Sequence, residues 1–176
     1  MTGASWAQEI CEGLAAIGCR EVVYVPDNPL SHILRSLEDG FPGIRATLAT
    51  REEEAFGIAA GLYLGGARAA AALQSSGLGN SLNAIGSLLL PYQIPVLMIV
   101  SMRGEAGEWN AAQRPMGLAV RPILDAFDIP HVTVTDARTA AAVVRQAGLQ
   151  AFGSKRPVAC LLPRELTMNE REGRAA

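Results

Sequence analysis

Short apolar runs alternate along this chain with longer stretches in which apolar residues recur at helical spacing. Pro95–Val100 is a continuous apolar run, which is typical of a strand buried on both faces of a sheet. The stretch from Ser5 to Ile17 places its apolar residues on one helical face, and this predicts an amphipathic helix that Ser5 caps. Such alternation predicts a mostly parallel sheet with helices on both faces. We therefore expect a three-layer α/β/α fold joined by right-handed crossovers.

The boundaries of the predicted elements follow from where each pattern starts and stops. Strands are predicted at residues 21–25, 44–50, 69–74, 95–100, 131–134 and 157–162. Helices are predicted at residues 5–17, 29–40, 51–64, 80–90, 123–127 and 137–152. Asp27 or Asn28 is expected to cap the second helix, with Pro29 in its first turn. Residues 1–165 are expected to form one domain, and the largely polar residues 166–176 are expected to be a frayed tail.

One internal segment, from Met102 to Gly117, shows no clear periodicity. Long irregular connections within compact domains are usually functional or disordered. We expect this segment to be mobile until a ligand and a partner order it.

Composition and charge exclude several classes of protein. The 176 residues carry a formal net charge of -2, whereas a dedicated nucleic-acid surface normally shows a basic excess. The three cysteines are widely spaced and form no CxxC pair, which argues against a disulfide scaffold or a zinc cluster. The longest apolar stretch, Leu88 to Val100, is interrupted by Pro91 and Pro95 and is too short to span a bilayer. With no secretory signal at the start, we expect a cytoplasmic protein that binds neither nucleic acid nor a membrane.

Polar residues gather at three predicted strand ends, in the segments Pro26–Asn28, Thr50–Glu54 and Ser75–Asn80. Ligands of open parallel sheets bind at the carboxyl ends of the strands, so these segments are expected to meet in one crevice. Gly77 and Gly79 favour a nucleotide-binding turn only weakly, because the third glycine is missing and the turn follows the third strand. A plain strand-to-helix turn explains the two glycines as well.

The three consecutive glutamates differ in what surrounds them. Thr50 and Glu53 fit a capping box, and Glu53 and Glu54 also complement the dipole of the helix that follows. Glu52 instead begins an apolar row on one helix face, formed by Ala55, Phe56, Ala59 and Tyr63. A carboxyl group at the edge of such a row would lose hydration, which disfavours its ionised form.

These residues resemble a known family. Glu52–Gly61 resembles the ExxAxxxAxG helix start of the pyrimidine-binding (PYR) domain of thiamine-diphosphate-dependent decarboxylases. Ser76–Asn80 resembles the next turn of that domain, and Val25–Pro29 resembles its first strand end. The resemblance extends over about residues 5–165.

A second group of residues narrows the resemblance. Arg103–Glu105, followed by Gln113 and Met116–Gly117, is similar to the α subunits of sulfopyruvate decarboxylase and to the matching part of phosphonopyruvate decarboxylase. The resemblance implies a 2-oxoacid decarboxylase subunit that converts 3-sulfopyruvate to sulfoacetaldehyde and CO2. Phosphonopyruvate as substrate, or a binding and assembly module of the same fold without catalysis, remain alternatives.

The resemblance also implies roles for particular residues. Glu52 would bond N1′ of the cofactor aminopyrimidine and favour the imino form that deprotonates the thiazolium carbon, and Asn28 would be a polar group facing the substrate in catalysis. Cofactor-binding positions are implied at Pro26, Glu52, Gly77, Leu78 and Asn80. Substrate-binding positions are implied at Asn28, Gln74, Arg103 and Gln113.

Two departures from the family pattern bear on cofactor binding. Leu78 stands where the commoner turn has proline, and the chain has no Gly-Asp-Gly motif followed by asparagine to hold Mg²⁺ against the diphosphate. The resemblance therefore implies that the Mg²⁺ ligands lie on a partner, a diphosphate-binding (PP) β subunit. We expect thiamine diphosphate as cofactor, no metal ligand in this chain, and a hetero-oligomer or at least a homodimer.

The anionic tail of such a substrate would need a cationic partner. Arg103 or Arg114 could supply a guanidinium group, although both could equally be solvated loop residues. His32 and His131 are the only histidines, and neither follows a pattern that suggests a Ser-His-Asp site. We expect both histidines to have surface or core roles.

Overall fold

The computed structural model describes residues 5–168. Six parallel strands form one sheet in the order β2-β1-β3-β4-β6-β5. This confirms the predicted parallel α/β/α fold. The strands are β1 Cys19–Tyr24, β2 Arg45–Leu48, β3 Arg68–Gln74, β4 Leu97–Ser101, β5 His131–Thr133 and β6 Val158–Leu162.

Helices occupy the connections between these strands. The α-helices are α1 Trp6–Ala16, α2 Leu30–Gly40, α3 Glu52–Leu64, α4 Ser75–Asn80, α5 Leu82–Ala84, α6 Arg114–Ala126, α7 Ala140–Ser154 and α8 Arg164–Met168. Shorter pieces are a π-helical turn at Ile85–Leu89 and 3₁₀ turns at Ala111–Gln113 and Ala137–Thr139. The predicted cap of α1 is present, because the Gln8 backbone N–H donates to Ser5 Oγ at 3.2 Å.

The sheet separates two apolar layers. Helices α1, α2 and α7 pack on one face and helices α3, α4 and α6 on the other. Alternate residues of a strand point to opposite faces, so in β3 Ala70 and Ala72 enter the first layer while Ala71 and Leu73 enter the second. The small side chains of this central strand let helices from both layers approach the sheet closely.

The edge strand β2 is fastened by polar contacts rather than by apolar burial. Glu21 of β1 is 4% exposed and accepts hydrogen bonds from Arg45 Nη2 at 2.7 Å and Nε at 3.0 Å. The Thr47 hydroxyl donates to the same carboxylate. A buried carboxylate needs such partners, and here they fix the pairing of β1 with β2.

Two predicted boundaries were wrong on the carboxyl side of the sheet. Helix α6 begins at Arg114 rather than at residue 123, so the irregular segment ends earlier than predicted. Pro115 and Pro122 obscured the helical pattern, but the first lies in the opening turn, where its missing N–H costs nothing. The predicted turn at residues 75–79 is instead the short helix α4, which follows β3 directly.

The predicted tail begins with an ordered turn. Residues Arg164–Met168 form α8, and Leu166 and Thr167 are each 8% exposed. The expectation of fraying was therefore wrong for residues 166–168. The rest of the predicted tail, residues 169–176, lies outside the described residues.

The three cysteines are buried and unpaired. Burial raises the pKa of the Cys11 and Cys160 thiols to about 12 and that of Cys19 to about 11. The thiolate form is thus disfavoured at each of them. Within residues 5–168, no helix is both long enough and apolar enough to cross a bilayer.

The contact between α1 and α7 gives a test of the core. A methyl group on Gly13 would lie 2.7 Å from Val144 Cβ and 2.8 Å from the Ala141 carbonyl oxygen, so Gly13→Ala should lower the free energy of unfolding by about 1–3 kcal/mol. Gly153→Ala in α7 is the control, because its methyl group would meet no atom within 4 Å, and it should be neutral or stabilise by up to about 1 kcal/mol. Urea denaturation measures both. Equal stability of the two variants would contradict this packing.

Candidate active site at the carboxyl edge of the sheet

The predicted strand ends meet at one edge of the sheet. The strand order reverses between β1 and β3, because β1 pairs with β2 on one side and with β3 on the other. This reversal is where open parallel sheets form their ligand crevice. Glu52 follows β2, Asn28 follows β1, and Gly77 follows β3.

Glu52 packs directly against helix α4. A methyl group on Gly77 would lie 2.6 Å from Glu52 Oε1 and 2.7 Å from its Cδ, so a larger residue at position 77 would displace this carboxyl group. Asn80 Nδ2 lies 3.4 Å from Glu52 Oε2 and donates a long hydrogen bond to it. Glu52 remains partly exposed at the edge of the sheet. Its carboxyl group is therefore held in place and still open to a ligand.

The apolar row behind Glu52 is present as predicted. Ala55 and Phe56 are fully buried, Ala59 is 1% exposed, and Tyr63 packs partly buried against the same layer. The capping contact at the start of α3 differs from the prediction, because Glu54 makes it instead of Glu53. Glu54 Oε2 accepts from the Thr50 backbone N–H and hydroxyl, both at 2.6 Å.

Glu54 replaces Glu53 in this contact because helix α3 starts one residue later than predicted. The N-cap is Arg51, one residue later than the predicted Thr50, which makes Glu54 the third helical residue. Glu53 instead pairs with Arg51 at 3.3 Å. These contacts give Glu53 and Glu54 structural roles and separate them from Glu52.

Asp27 joins the ends of three strands. Its Oδ1 accepts from Gln74 Nε2 at 2.8 Å, and its Oδ2 accepts from the Ser101 hydroxyl at 2.6 Å. Arg103 Nη1 lies 3.7 Å from Oδ1. The predicted capping role of Asp27 or Asn28 was wrong, because α2 begins at Leu30 with no side-chain cap and the Asp27 carboxylate points to the other strand ends.

A second carboxylate, Glu108, organises the segment after β4. Its side chain is completely buried, and its Oε2 accepts from Arg103 Nε at 2.9 Å and from Arg164 Nη1 at 3.3 Å. The backbone N–H groups of Asn110 and Gly104 also donate to this carboxylate. The hydrogen bond from Arg103, with these N–H groups, holds the pKa of Glu108 at about 2, against an ordinary value of 4.5.

A cleft of about 280 Å³ opens beside these groups. Asn28 and His32 border it from the start of α2, and Arg103 and Trp109 border it from the segment after β4. The His32 ring also stands against Trp6, with ring centroids 5.8 Å apart. Sequence reasoning missed Arg164, Thr167 and Met168, which line the third side of the cleft from α8.

The remaining predicted site residues lie in different environments. Pro26 is exposed just after β1, whereas Leu78 is fully buried in the layer under α3, α4 and α6. Gln74 is half-buried, and both ends of its amide are used, since its Oε1 accepts from the Ser76 hydroxyl at 2.5 Å. Gln113 is half-buried in the turn before α6 and does not line the cleft in the described part of the chain, and neither does the exposed Arg114.

No cluster of three or more histidine, cysteine, aspartate or glutamate side chains suitable for a metal ion occurs in residues 5–168. The groups at the carboxyl edge of the sheet are instead the Glu52 carboxyl group, amide side chains and two arginines. Such a set suits an organic ligand with hydrogen-bonding nitrogens and a small anion better than a bare cation.

Comparison with known proteins identifies the family. Residues 4–116 match the thiamine pyrophosphate enzyme, N-terminal TPP binding domain. The chain belongs to this family. Helix α3 with Glu52 and helix α4 with Gly77 both lie inside the matched region of this TPP-binding domain.

Curated relatives of this TPP-binding domain cover most of its length. The chain is 37% identical over 156 residues to the sulfopyruvate decarboxylase subunit alpha of Methanococcus maripaludis, which covers 89% of this chain and 93% of that protein. It is 42% identical over 137 residues to the protein of the same name from Methanocaldococcus jannaschii, covering 78% and 80% respectively. Phosphonopyruvate decarboxylase of Streptomyces viridochromogenes is 36% identical over 132 residues, which are 74% of this chain and 33% of that protein.

A solved structure shares the fold. A chain of 2-oxoglutarate:ferredoxin oxidoreductase from Magnetococcus marinus superimposes with a TM-score of 0.78 at 16% sequence identity. The match covers 93% of this TPP-binding domain and 29% of that chain. At this identity the likeness is one of fold.

The buried Glu108 predicts a pH-dependent contribution to stability. Because its pKa in the folded chain is depressed to about 2, its contribution is present above pH 4.5 and is lost as the pH falls from 4.5 towards 2. Glu108→Gln should cost roughly 2 kcal/mol at pH 7, and the difference from the parent should shrink below pH 4.5. Urea denaturation between pH 7 and pH 3 measures it.

The control for this measurement is Glu38→Gln on the exposed side of α2, which should have little effect at any pH. A Glu108→Gln penalty that stays constant down to pH 3 would contradict the role of the ionised carboxylate.

Proposed function

We propose that this chain is the PYR α subunit of a two-subunit, thiamine-diphosphate-dependent 2-oxoacid decarboxylase. The proposed reaction converts 3-sulfopyruvate to sulfoacetaldehyde and CO2. Two observations support it: the Glu52 carboxyl held against Gly77, and the names of the relatives that match most of both chains. A cytoplasmic location is part of the proposal.

The residues at the carboxyl edge fit the cofactor's aminopyrimidine. The space over Gly77, which a methyl group would fill, lets the Glu52 carboxyl lie close to helix α4. Asn80 orients one carboxyl oxygen and leaves the group partly exposed. Glu52 would hold or share a proton with ring nitrogen N1′, which is general acid–base work for a carboxyl group. Pro26 and Gly77 would border the ring, while the buried Leu78 would support α4 from behind.

Thiamine diphosphate, when bound, supplies the carbon nucleophile and the electron sink for decarboxylation. The C1–C2 bond of the 2-oxoacid breaks, CO2 leaves, and a proton takes its place on C2 to give the aldehyde. Asn28 is exposed next to the cleft and would face the reacting end of the substrate. Gln74 would act indirectly, since its amide is engaged by Asp27 and Ser76.

The diphosphate and its Mg²⁺ are assigned to a partner. The missing Gly-Asp-Gly motif and the absence of a metal-ligating cluster in residues 5–168 support this assignment. The relatives named as alpha subunits support it further. We therefore propose a hetero-oligomer with a diphosphate-binding (PP) β subunit, whose contribution completes the site.

Phosphonopyruvate is the second candidate substrate. It is favoured by the 36% identity to a phosphonopyruvate decarboxylase, although the chain spans only 33% of that protein. The two substrates differ only in the tail, so the groups around Glu52 would serve either.

Glu52→Gln tests the central role. The variant keeps the size of the side chain but cannot give or accept the proton, so CO2 release from sulfopyruvate should fall by about 10²–10⁴-fold after mixing with the partner subunit. Assembly, followed by size-exclusion chromatography, should be unchanged. Glu53→Gln is the matched control, since Glu53 pairs only with the exposed Arg51 in the described structure, and it should keep near-normal turnover. Normal turnover by Glu52→Gln would remove the proposed role.

Gly77→Ala tests the geometry without touching the carboxyl group itself. The added methyl group must push Glu52 away, because Oε1 and Cδ lie 2.6 and 2.7 Å from its position. Decarboxylation should fall by about 100-fold or more, as misplacing a reacting group by about 1 Å can do. Gly153→Ala, at the other end of the sheet, should leave the rate unchanged. Full activity of Gly77→Ala would show that Glu52 need not occupy this position.

A further inference from the structure

Among the described residues, the cleft beside the candidate active site is lined by positively charged side chains and by no negatively charged one. Its lining includes the guanidinium groups of Arg103 and Arg164, and none of the described residues that line it is an aspartate or a glutamate. The two side chains are 17% and 11% exposed. Guanidinium groups in such a half-closed space are well placed to bind a small oxyanion, because they present several N–H donors in a planar fork.

Glu108 brings these two positive charges together. Its Oε2 accepts from both Arg103 and Arg164, at 2.9 and 3.3 Å, and its side chain is completely buried beneath them. Without this carboxylate, the two guanidinium groups would repel each other. In the described chain, these hydrogen bonds use Nε of Arg103 and Nη1 of Arg164. Each guanidinium group has further N–H donors besides these, and both side chains line the cleft.

The net charge of the two arginines and their acidic partners determines which charge of anion the cleft can bind. Glu108 and Asp27, which lies 3.7 Å from Arg103 Nη1, together balance the two arginines. A formally neutral cluster with further N–H donors beside the cleft favours a singly charged oxyanion. A doubly charged group would bring a second negative charge near Glu108 and Asp27 without a matching cation.

We infer that Arg164, paired with Arg103 through Glu108, binds the sulfonate tail of the substrate and sets the specificity for it. This inference rests on the proposed function. Asn28 borders both the cleft and the end of β1, so a 2-oxoacid with its tail at the arginines can direct its reacting end towards the strand ends near Glu52. Trp109 also lines the cleft and is 82% exposed.

The test uses 3-sulfopropanoate, which carries the same tail but no 2-oxo group and therefore cannot react. Isothermal titration with the full chain, alone and mixed with its diphosphate-binding partner, should show Arg164→Gln weakening binding by about 10–100-fold. In steady-state assays the same variant should raise KM for sulfopyruvate by a similar factor, with kcat changed by less than about 3-fold.

Two further variants keep the result interpretable. Arg164→Lys retains the charge beside Glu108 but loses the fork, so it should fold normally and still bind about 5-fold more weakly or worse. Arg138→Gln is the matched control, because Arg138 is 88% exposed and pairs with Asp136 away from the cleft. Unchanged affinity in both Arg164 variants would overturn the inference, as would failure of the parent chain to bind 3-sulfopropanoate in either form.

Binding of a phosphonate analogue tests whether the charge of the anion determines its affinity for the cleft. 3-Phosphonopropanoate should bind at least about 10-fold more weakly than the sulfonate at pH 8, and equal affinity would overturn the proposed preference. The binding data also separate this inference from the proposed function. If sulfopyruvate releases no CO2 but 3-sulfopropanoate binding still depends on Arg164, the reaction is wrong and the anion site stands.

Discussion

The Asp27 carboxylate is the contact on which the carboxyl edge of the sheet depends. The Asp27 side chain is 7% exposed and lies between the ends of β1, β3 and β4. Its carboxylate accepts hydrogen bonds from Gln74 and Ser101. Each partner comes from a different strand end, so this one side chain sets the spacing of the segments that carry Asn28, Gly77 and Arg103. A buried carboxylate is costly unless it is fully paired, and the pairing makes this spacing hard to change.

The two halves of the candidate site differ in how they are built. Around Glu52 the structure relies on a missing side chain, because Gly77 provides the space that the carboxyl occupies. Around Glu108 it relies on charge, because one buried carboxylate holds Arg103, which is 5 residues away in sequence, and Arg164, which is 56 residues away. Steric space sets the first half, and ion pairing sets the second. A change in one half can therefore leave the other intact.

Much of the fold could be predicted from the sequence, because strands such as β4 are continuous apolar runs and the Ser5 cap is a local signal. Glu52 could be separated from its neighbours in the same way, from the apolar row behind it. The role of Asp27 could not, since its partners are 47 and 74 residues away and a residue before a helix favours a capping interpretation. Arg164 was missed because a polar sequence near the end resembles a tail, although its contacts with Glu108 lie in the folded chain.

The burial of all three cysteines has a practical consequence. Cys11, Cys19 and Cys160 have no accessible thiol, and their raised pKa values keep them in the unreactive protonated form. A cysteine introduced at the exposed position of Trp109 would therefore be the single site open to maleimide reagents in the folded subunit. A fluorophore attached there would sit at the rim of the cleft and report its occupancy without any need to remove the native cysteines.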